Sequence, residues 1–286
     1  MEKIRKIRVT LKSRPTFEGA GVRLKRAFGY ADPSLDPFLL LDDFHSDDPN
    51  DYIKGFPWHP HRGIETITYM IHGNIEHKDS LGNGGIIHAG DVQWMTAGSG
   101  IIHQEMPKKD SNDTLLWGFQ LWANLPASHK MMNPRYRDLK NDEIPEVFLN
   151  NDNVRVKIIC GEINGVKGPV QDIITEPEYL DVTINPNTEF LHHIADSHNV
   201  FAYTIEGEGF FDELKAELIR KETLVIYREG DAVKISTQNE KIRFLLISGK
   251  PLEQPVAWRG PIVMNTEEEL SLAFNEYQNG TFIKHR

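Results

Sequence analysis

Two short patterns of metal-ligand residue types stand out in the chain. In FPWHPHRGIET, residues 56–66, His59 and His61 are one residue apart; in TAGSGIIHQEMP, residues 96–107, His103 and Glu105 repeat that spacing. A strand sends residues i and i+2 to the same face, so each pair can present two ligands to one side. Glu65 shares the parity of His59 and His61 if the strand runs on regularly through it. Two such pairs on facing strands would assemble three neutral imidazoles and a carboxylate. That set suits iron, manganese, cobalt, nickel, copper or zinc, and open coordination positions would admit a substrate or O2. One His-x-His pair alone is more often a chance or surface feature than a metal site. The reading rests on both pairs occurring together, with the turn Gly98-Ser99-Gly100 ahead of the second. Phe56, Trp58, Trp94 and Met95 are candidates to line a pocket for an aromatic ligand, or else to pack a barrel core or rim. Arg62 is a candidate to pair with Asp42 or Asp43 or to steer an anion.

The elements that must carry these residues are mostly strands. Runs such as ETITYMIHG, LLWGFQLWANL, VRVKIICGEI and KIRFLLISG are strand-length, rich in β-branched and aromatic residues, and broken by Gly, Asn, Asp and Pro. Helical periodicity appears only in TEEELSLAFNEYQNG, 266–280, where Thr266 can cap and Leu270, Phe274 and Tyr277 recur at helical spacing. The two halves also echo each other: YMIHGNIEHKDS resembles YTIEGEGFFDEL, and GDVQWMT resembles GDAVKIS. A mainly β chain with a weak internal duplication implies two similar antiparallel barrels closed by a C-terminal helix. The polar, proline-containing stretch 126–153 reads as the connection, which divides the chain into 1–132, a linker 133–152, and 153–286.

Bulk properties narrow the function classes. The chain has 286 residues and a formal net charge of −10, which disfavours direct binding of a phosphate backbone. Its single cysteine, Cys160, permits no intrachain disulfide and reads as a small buried hydrophobe. The start lacks the apolar core of a secretory signal, and no window has the apolar length of a membrane helix. A cytoplasmic protein with no membrane partner is the expectation. Phosphate-binding loops, zinc-finger cysteine pairs and nucleophile elbows are not found.

The pattern Gly55-x3-His59-x-His61-x3-Glu65-x7-Gly73, followed by Gly90-x7-Gly98-x-Gly100-x2-His103, resembles the two signature motifs of the cupin superfamily. The longer strings FPWHPHRGIETITYMIHG and GDVQWMTAGSGIIHQEMP, with DPFLLLDDF and GPIVMNTEEEL, resemble the pirin family over residues 5–275. The resemblance implies a bicupin of two antiparallel β-barrels (double-stranded β-helix, or jelly-roll), with the metal in the N-terminal one. His59, His61, His103 and Glu105 are then the ligands. In many other cupins the first-motif carboxylate, here Glu65, takes that place; in the pirin pattern it is Glu105, leaving Glu65 and Arg62 as supports around the ligands. In the second half, spacing sets His193, Ala195, Arg243 and Leu245 opposite the four ligands, so that barrel is expected to be metal-free; His192 and His198 do not change this. The implied activity is a quercetin 2,3-dioxygenase, in which a divalent metal, iron(II) first, binds a small aromatic enol and O2 and Glu105 accepts a proton. The alternative the family offers is a non-enzymatic, redox-sensitive iron protein that regulates a transcription factor or metabolic enzyme as a protein partner.

Overall fold

The computed structural model describes residues 3–108 and 113–285. Strands dominate, and alternating β-branched and polar residues account for them. The chain forms two compact units, each assembled from separated segments.

The unit that carries the histidines comprises Arg14–Ala31, Phe38–Asn141 and Leu252–Arg286. Seven of its strands form one sheet, which runs in space Arg135–Leu139, Val92–Thr96, Ile64–His72, Leu116–Asn124, Phe38–Ser46, Val22–Gly29 and Arg14–Glu18. A four-stranded sheet orders Phe56–His61, Ile101–Lys108, Asn74–Asp79 and Gly84–Ile87. This architecture of antiparallel strands in two sheets is the expected cupin type. Apolar residues including Val22, Leu24, Phe44, Met70, Ile75 and Leu116 form one of its core clusters.

The other unit comprises Met1–Ser13, Asp32–Pro37 and Asp142–Pro251, built around a ten-stranded sheet. Its interior is filled by twenty buried apolar residues, among them Val156, Leu180, Val225, Phe244 and Leu246. Arg243 and Leu245, which sequence spacing sets opposite two ligands, alternate with Phe244 and Leu246. The alternate residues Ile242, Phe244 and Leu246 point into that core. Arg243 instead makes a bidentate pair with Asp181, at 3.0 and 2.7 Å. Cys160 is buried here, as expected.

The C-terminal helix forms at Glu267–Gln278, with Thr266 and Glu269 closing a capping box. Leu270 and Ala273 are its buried residues; Tyr277, placed on the apolar face by sequence spacing, is 38% exposed. A division by sequence position assigns 252–286 to the second half, but this segment belongs to the unit with the histidines. The expected linker also holds structure. Arg135–Leu139 pairs with Val92–Thr96, and Glu146–Leu149 pairs with Val154–Cys160. No described helix is long and apolar enough to cross a membrane.

Candidate metal centre

The site begins with one antiparallel pair of strands. Phe56–His61 runs against Ile101–Lys108 with His59 directly opposite His103. Paired residues of a sheet point to the same face, so His59, His61, His103 and Glu105 all turn inward. A bulge between His103 and Glu105 brings Glu105 opposite Phe56. The turn that feeds the second strand depends on glycine: at Gly98, with φ +51°, a Cβ would lie 2.2 Å from the Met132 carbonyl oxygen.

The three imidazoles converge through Nε2. His59 Nε2 is 3.1 Å from His61 Nε2 and 3.0 Å from His103 Nε2. His59 Nδ1 donates to the Pro57 carbonyl at 2.8 Å, and His61 Nδ1 donates to the Pro261 carbonyl at 3.0 Å. A carbonyl only accepts, so these bonds place the ring proton on Nδ1 and leave Nε2 as a lone pair. Burial lowers the pKa of all three histidines, well below the usual value for His61 and His103, so they are neutral near pH 7. Lone pairs of neutral imidazoles facing one another at this range repel unless a cation sits between them. Two nitrogens at about 2.1 Å from one ion and at right angles are about 3.0 Å apart. The two observed spacings therefore fit His59 sharing one transition-metal ion with each of His61 and His103 at about right angles. Among the described residues, these three form the one cluster of ligand atoms that lie within 4.8 Å of one another.

Glu105 is fully buried beside this cluster and is held by two donors. The Thr68 hydroxyl donates to Oε1 at 2.9 Å, and the Gln120 amide donates to Oε2 at 3.2 Å. Burial pushes its carboxyl pKa up to about 7, against the hydrogen bond from Thr68. A cavity of about 620 Å³ opens over His59, His61 and Glu105, within the range of small-molecule sites. Its walls are largely apolar: Leu24, Leu40, Phe44, Phe56, Trp122 and Trp258 are among them.

Of the residues singled out in sequence, Phe56 and Trp58 line this cavity, with Trp58 half exposed. Trp94 and Met95 do not reach it. Both are buried; Met95 packs with Ala97 and Ile101, and Trp94 alternates with it onto the opposite face of the strand. Glu65 does not continue the parity of His59 and His61, because the chain turns at Gly63, φ +78°, and starts a new strand at Ile64. Its carboxylate accepts from Thr96 at 2.6 Å. Arg62 pairs with neither Asp42 nor Asp43. It donates to Glu276 at 2.8 Å, to the Ser99 carbonyl at 2.7 Å and to the Phe282 carbonyl at 2.8 Å. The guanidinium of Arg62 thus ties the strand bearing His61 to the second motif's turn and to the C-terminal segment.

Sequence reasoning missed Thr68, Gln120, Trp122, Trp258 and Pro261. Gln120 and Trp122 carry a signal that was available, since they alternate within LLWGFQLWANL and therefore face one way. Trp258 and Pro261 come from a remote segment, and no local pattern points to them.

The Pirin family model matches residues 21–123, and the Pirin C-terminal cupin domain model matches residues 179–283. The chain belongs to the pirin family. It is 40% identical over 281 residues to a pirin-like protein of Caulobacter vibrioides, covering 98% of this chain and 99% of that one. It is 42% identical over 266 residues to Pirin-1 of Arabidopsis thaliana, covering 92% and 89%. Among solved structures, a quercetin 2,3-dioxygenase from Acinetobacter baumannii superposes with a TM-score of 0.90 at 31% identity, covering 98% of each chain. The expected family and the two-cupin, mainly β fold are thereby established for this pirin.

Proposed function

We propose that this pirin is a metal-dependent dioxygenase that cleaves flavonols such as quercetin with O2, releasing carbon monoxide. The observation that carries the reading is the convergence of three imidazoles, two of them with Nδ1 held by carbonyls, beside a mostly apolar cavity that also contains a buried carboxylate. The likeness to the Acinetobacter quercetin 2,3-dioxygenase supports it.

His59, His61 and His103 would hold the metal through Nε2, with Glu105 as the carboxylate that completes the donor set. This set suits iron(II) and its first-row neighbours. When bound, such an ion supplies Lewis acidity toward the enolic oxygen and a position for O2. The chain's own residues do the rest. Glu105, which lines the cavity, would accept the 3-hydroxyl proton of the flavonol. Thr68 and Gln120 orient that carboxylate toward the cavity it lines. Pro57 and Pro261 fix the tautomers of His59 and His61 through their carbonyls. The aromatic walls Phe56, Trp122 and Trp258 exclude water and suit a flat ring system.

The test is O2 uptake and carbon monoxide release on adding quercetin to protein of measured metal content, beside His103→Ala and Glu105→Gln. We expect turnover in the wild type, none in His103→Ala together with its metal, and a loss of about 100-fold or more in Glu105→Gln, the scale of a general base. Metal-replete wild type with no turnover in its iron, manganese, cobalt, nickel and copper forms would refute the flavonol reading.

A further inference from the structure

The cavity has a second polar end that the reaction does not use. Thr68 and Gln120 hold Glu105, and the same sheet continues the polar row away from it. Gln120 lies opposite Asp42 on the next strand, and Asp42 lies opposite Arg26 on the one after. All of these residues line the cavity, among otherwise apolar walls. Adjacent strands lie about 4.8 Å apart, so Arg26 stands about 10 Å from Gln120 across the sheet. That span is on the order of a flavonol's own length.

The pair itself is tightly built. Arg26 Nε and Nη2 donate to the two oxygens of Asp42 at 2.8 and 2.7 Å, and Nη2 also meets Glu18 Oε1 at 2.8 Å. This fork fixes the carboxylate of Asp42, which is buried. Each carboxylate oxygen has two lone pairs, so one acceptor position per oxygen remains after the guanidinium is served. One cation between two carboxylates leaves this end net negative, so it favours a neutral donor over an anion.

We propose that the Asp42–Arg26 pair determines specificity at the far end of the cavity: its carboxylate accepts a hydrogen bond from a phenolic hydroxyl on a ring remote from the imidazoles. The proposal rests on the flavonol reading and adds the substrate feature that this pirin selects. An ion pair serving only to join two strands would do nothing for ligand choice, and the experiment separates the two roles.

Zinc-loaded, full-length protein under anaerobic conditions is titrated with quercetin and with 3-hydroxyflavone, which keeps the chelating oxygens and lacks the outer hydroxyls. Binding is read by calorimetry and by quenching of tryptophan fluorescence. The wild type should prefer quercetin by about tenfold or more, the increment of one charge-assisted hydrogen bond. Asp42→Ala should bring the two dissociation constants within about twofold while leaving that of 3-hydroxyflavone unchanged. The double variant Arg26→Leu with Asp42→Leu removes the pair without orphaning a charge, and serves if the single variant does not fold; the same collapse is expected. A preference that survives the double variant, or two ligands weakened in parallel, overturns the proposal and leaves a structural pair. Equal binding of both ligands by the wild type overturns the specificity site alone, whereas binding of neither overturns the flavonol reading with it.

Discussion

The two units of this pirin share a fold type and differ in what fills them. One keeps an open cavity with three imidazoles and a polar row running from Glu105 to Arg26. The other packs Phe244, Leu246, Val225 and their neighbours into the corresponding interior. The open interior gives up dispersion contacts and buries groups that need partners: Glu105 is held by Thr68 and Gln120, and Asp42 by Arg26. The filled interior makes the opposite choice and gains packing density. One architecture therefore serves either stability or chemistry, according to which side chains occupy the inward positions.

The sharpest way to break this comparison is to remove an imidazole from each unit. His61→Ala deletes a buried ligand candidate whose Nδ1 is fixed by Pro261; His193→Ala deletes an exposed residue that spacing alone sets opposite His59. Loss of a residue that merely supports a ligand costs about 10- to 100-fold in metal affinity, so loss of His61 itself should cost at least about 100-fold. His193→Ala should leave metal content unchanged. Elemental analysis after dialysis against a chelator reads both. Equal metal content in the two variants would mean that the three-imidazole cluster does not bind the ion.

The contrast between these two histidines shows what was legible. The pairs His59/His61 and His103/Glu105 could be read because a strand repeats every two residues and the motifs lie within single strands. The same rule misplaced Glu65 once Gly63 ended the strand, and aligning Gly90 with Gly230 set Arg243 and Leu245 opposite two ligands where their neighbours Phe244 and Leu246 face the core. Nothing local says that Asp42 will meet Arg26 rather than Arg62, because that choice is made by cross-strand register. Nor does any pattern around 252–286 announce that Pro261 will orient His61 from two hundred residues away. Chemistry carried within a strand was visible in the sequence; chemistry assembled between strands and segments was not.

Packing offers a second test of the same difference. Phe244 is fully buried in the filled unit, so Phe244→Ala removes its contacts and leaves a void. The expected cost is about 3–5 kcal/mol. Leu24 is also buried in a core cluster, but part of its surface already borders the open cavity. Leu24→Ala enlarges an existing space and loses fewer contacts, so about 1–2 kcal/mol is expected, below the usual range for such a truncation. Urea unfolding of the two variants measures the gap. Equal losses would show that the cavity wall is packed as tightly as the other unit's core.

The smallest effect at pH 7 concerns the segment that the histidine-bearing unit draws from the far end of the chain. The buried ammonium of Lys130 donates to the Gly63 carbonyl at 2.9 Å, to Asn124 Oδ1 at 2.7 Å and to the Val263 carbonyl at 3.0 Å, so it staples the short C-terminal strand Ile262–Met264 to the turn after His61. Burial draws its pKa down to about 7, whereas an unfolded lysine titrates near 10.4. Between those values the native state binds fewer protons than the unfolded chain, so this residue's contribution makes the protein more stable as pH rises through that window. Lys130→Met loses three hydrogen bonds but also removes the burial of a charge, and these oppose each other, for a net cost of about 1 kcal/mol at pH 7. Because the variant lacks the titrating group, the stability gap between wild type and Lys130→Met should widen from pH 7 to pH 10, measured by denaturant unfolding at each pH. A gap that stays constant would mean that the three oxygen acceptors keep the ammonium charged throughout, and that the staple is an ionic one at every pH tested.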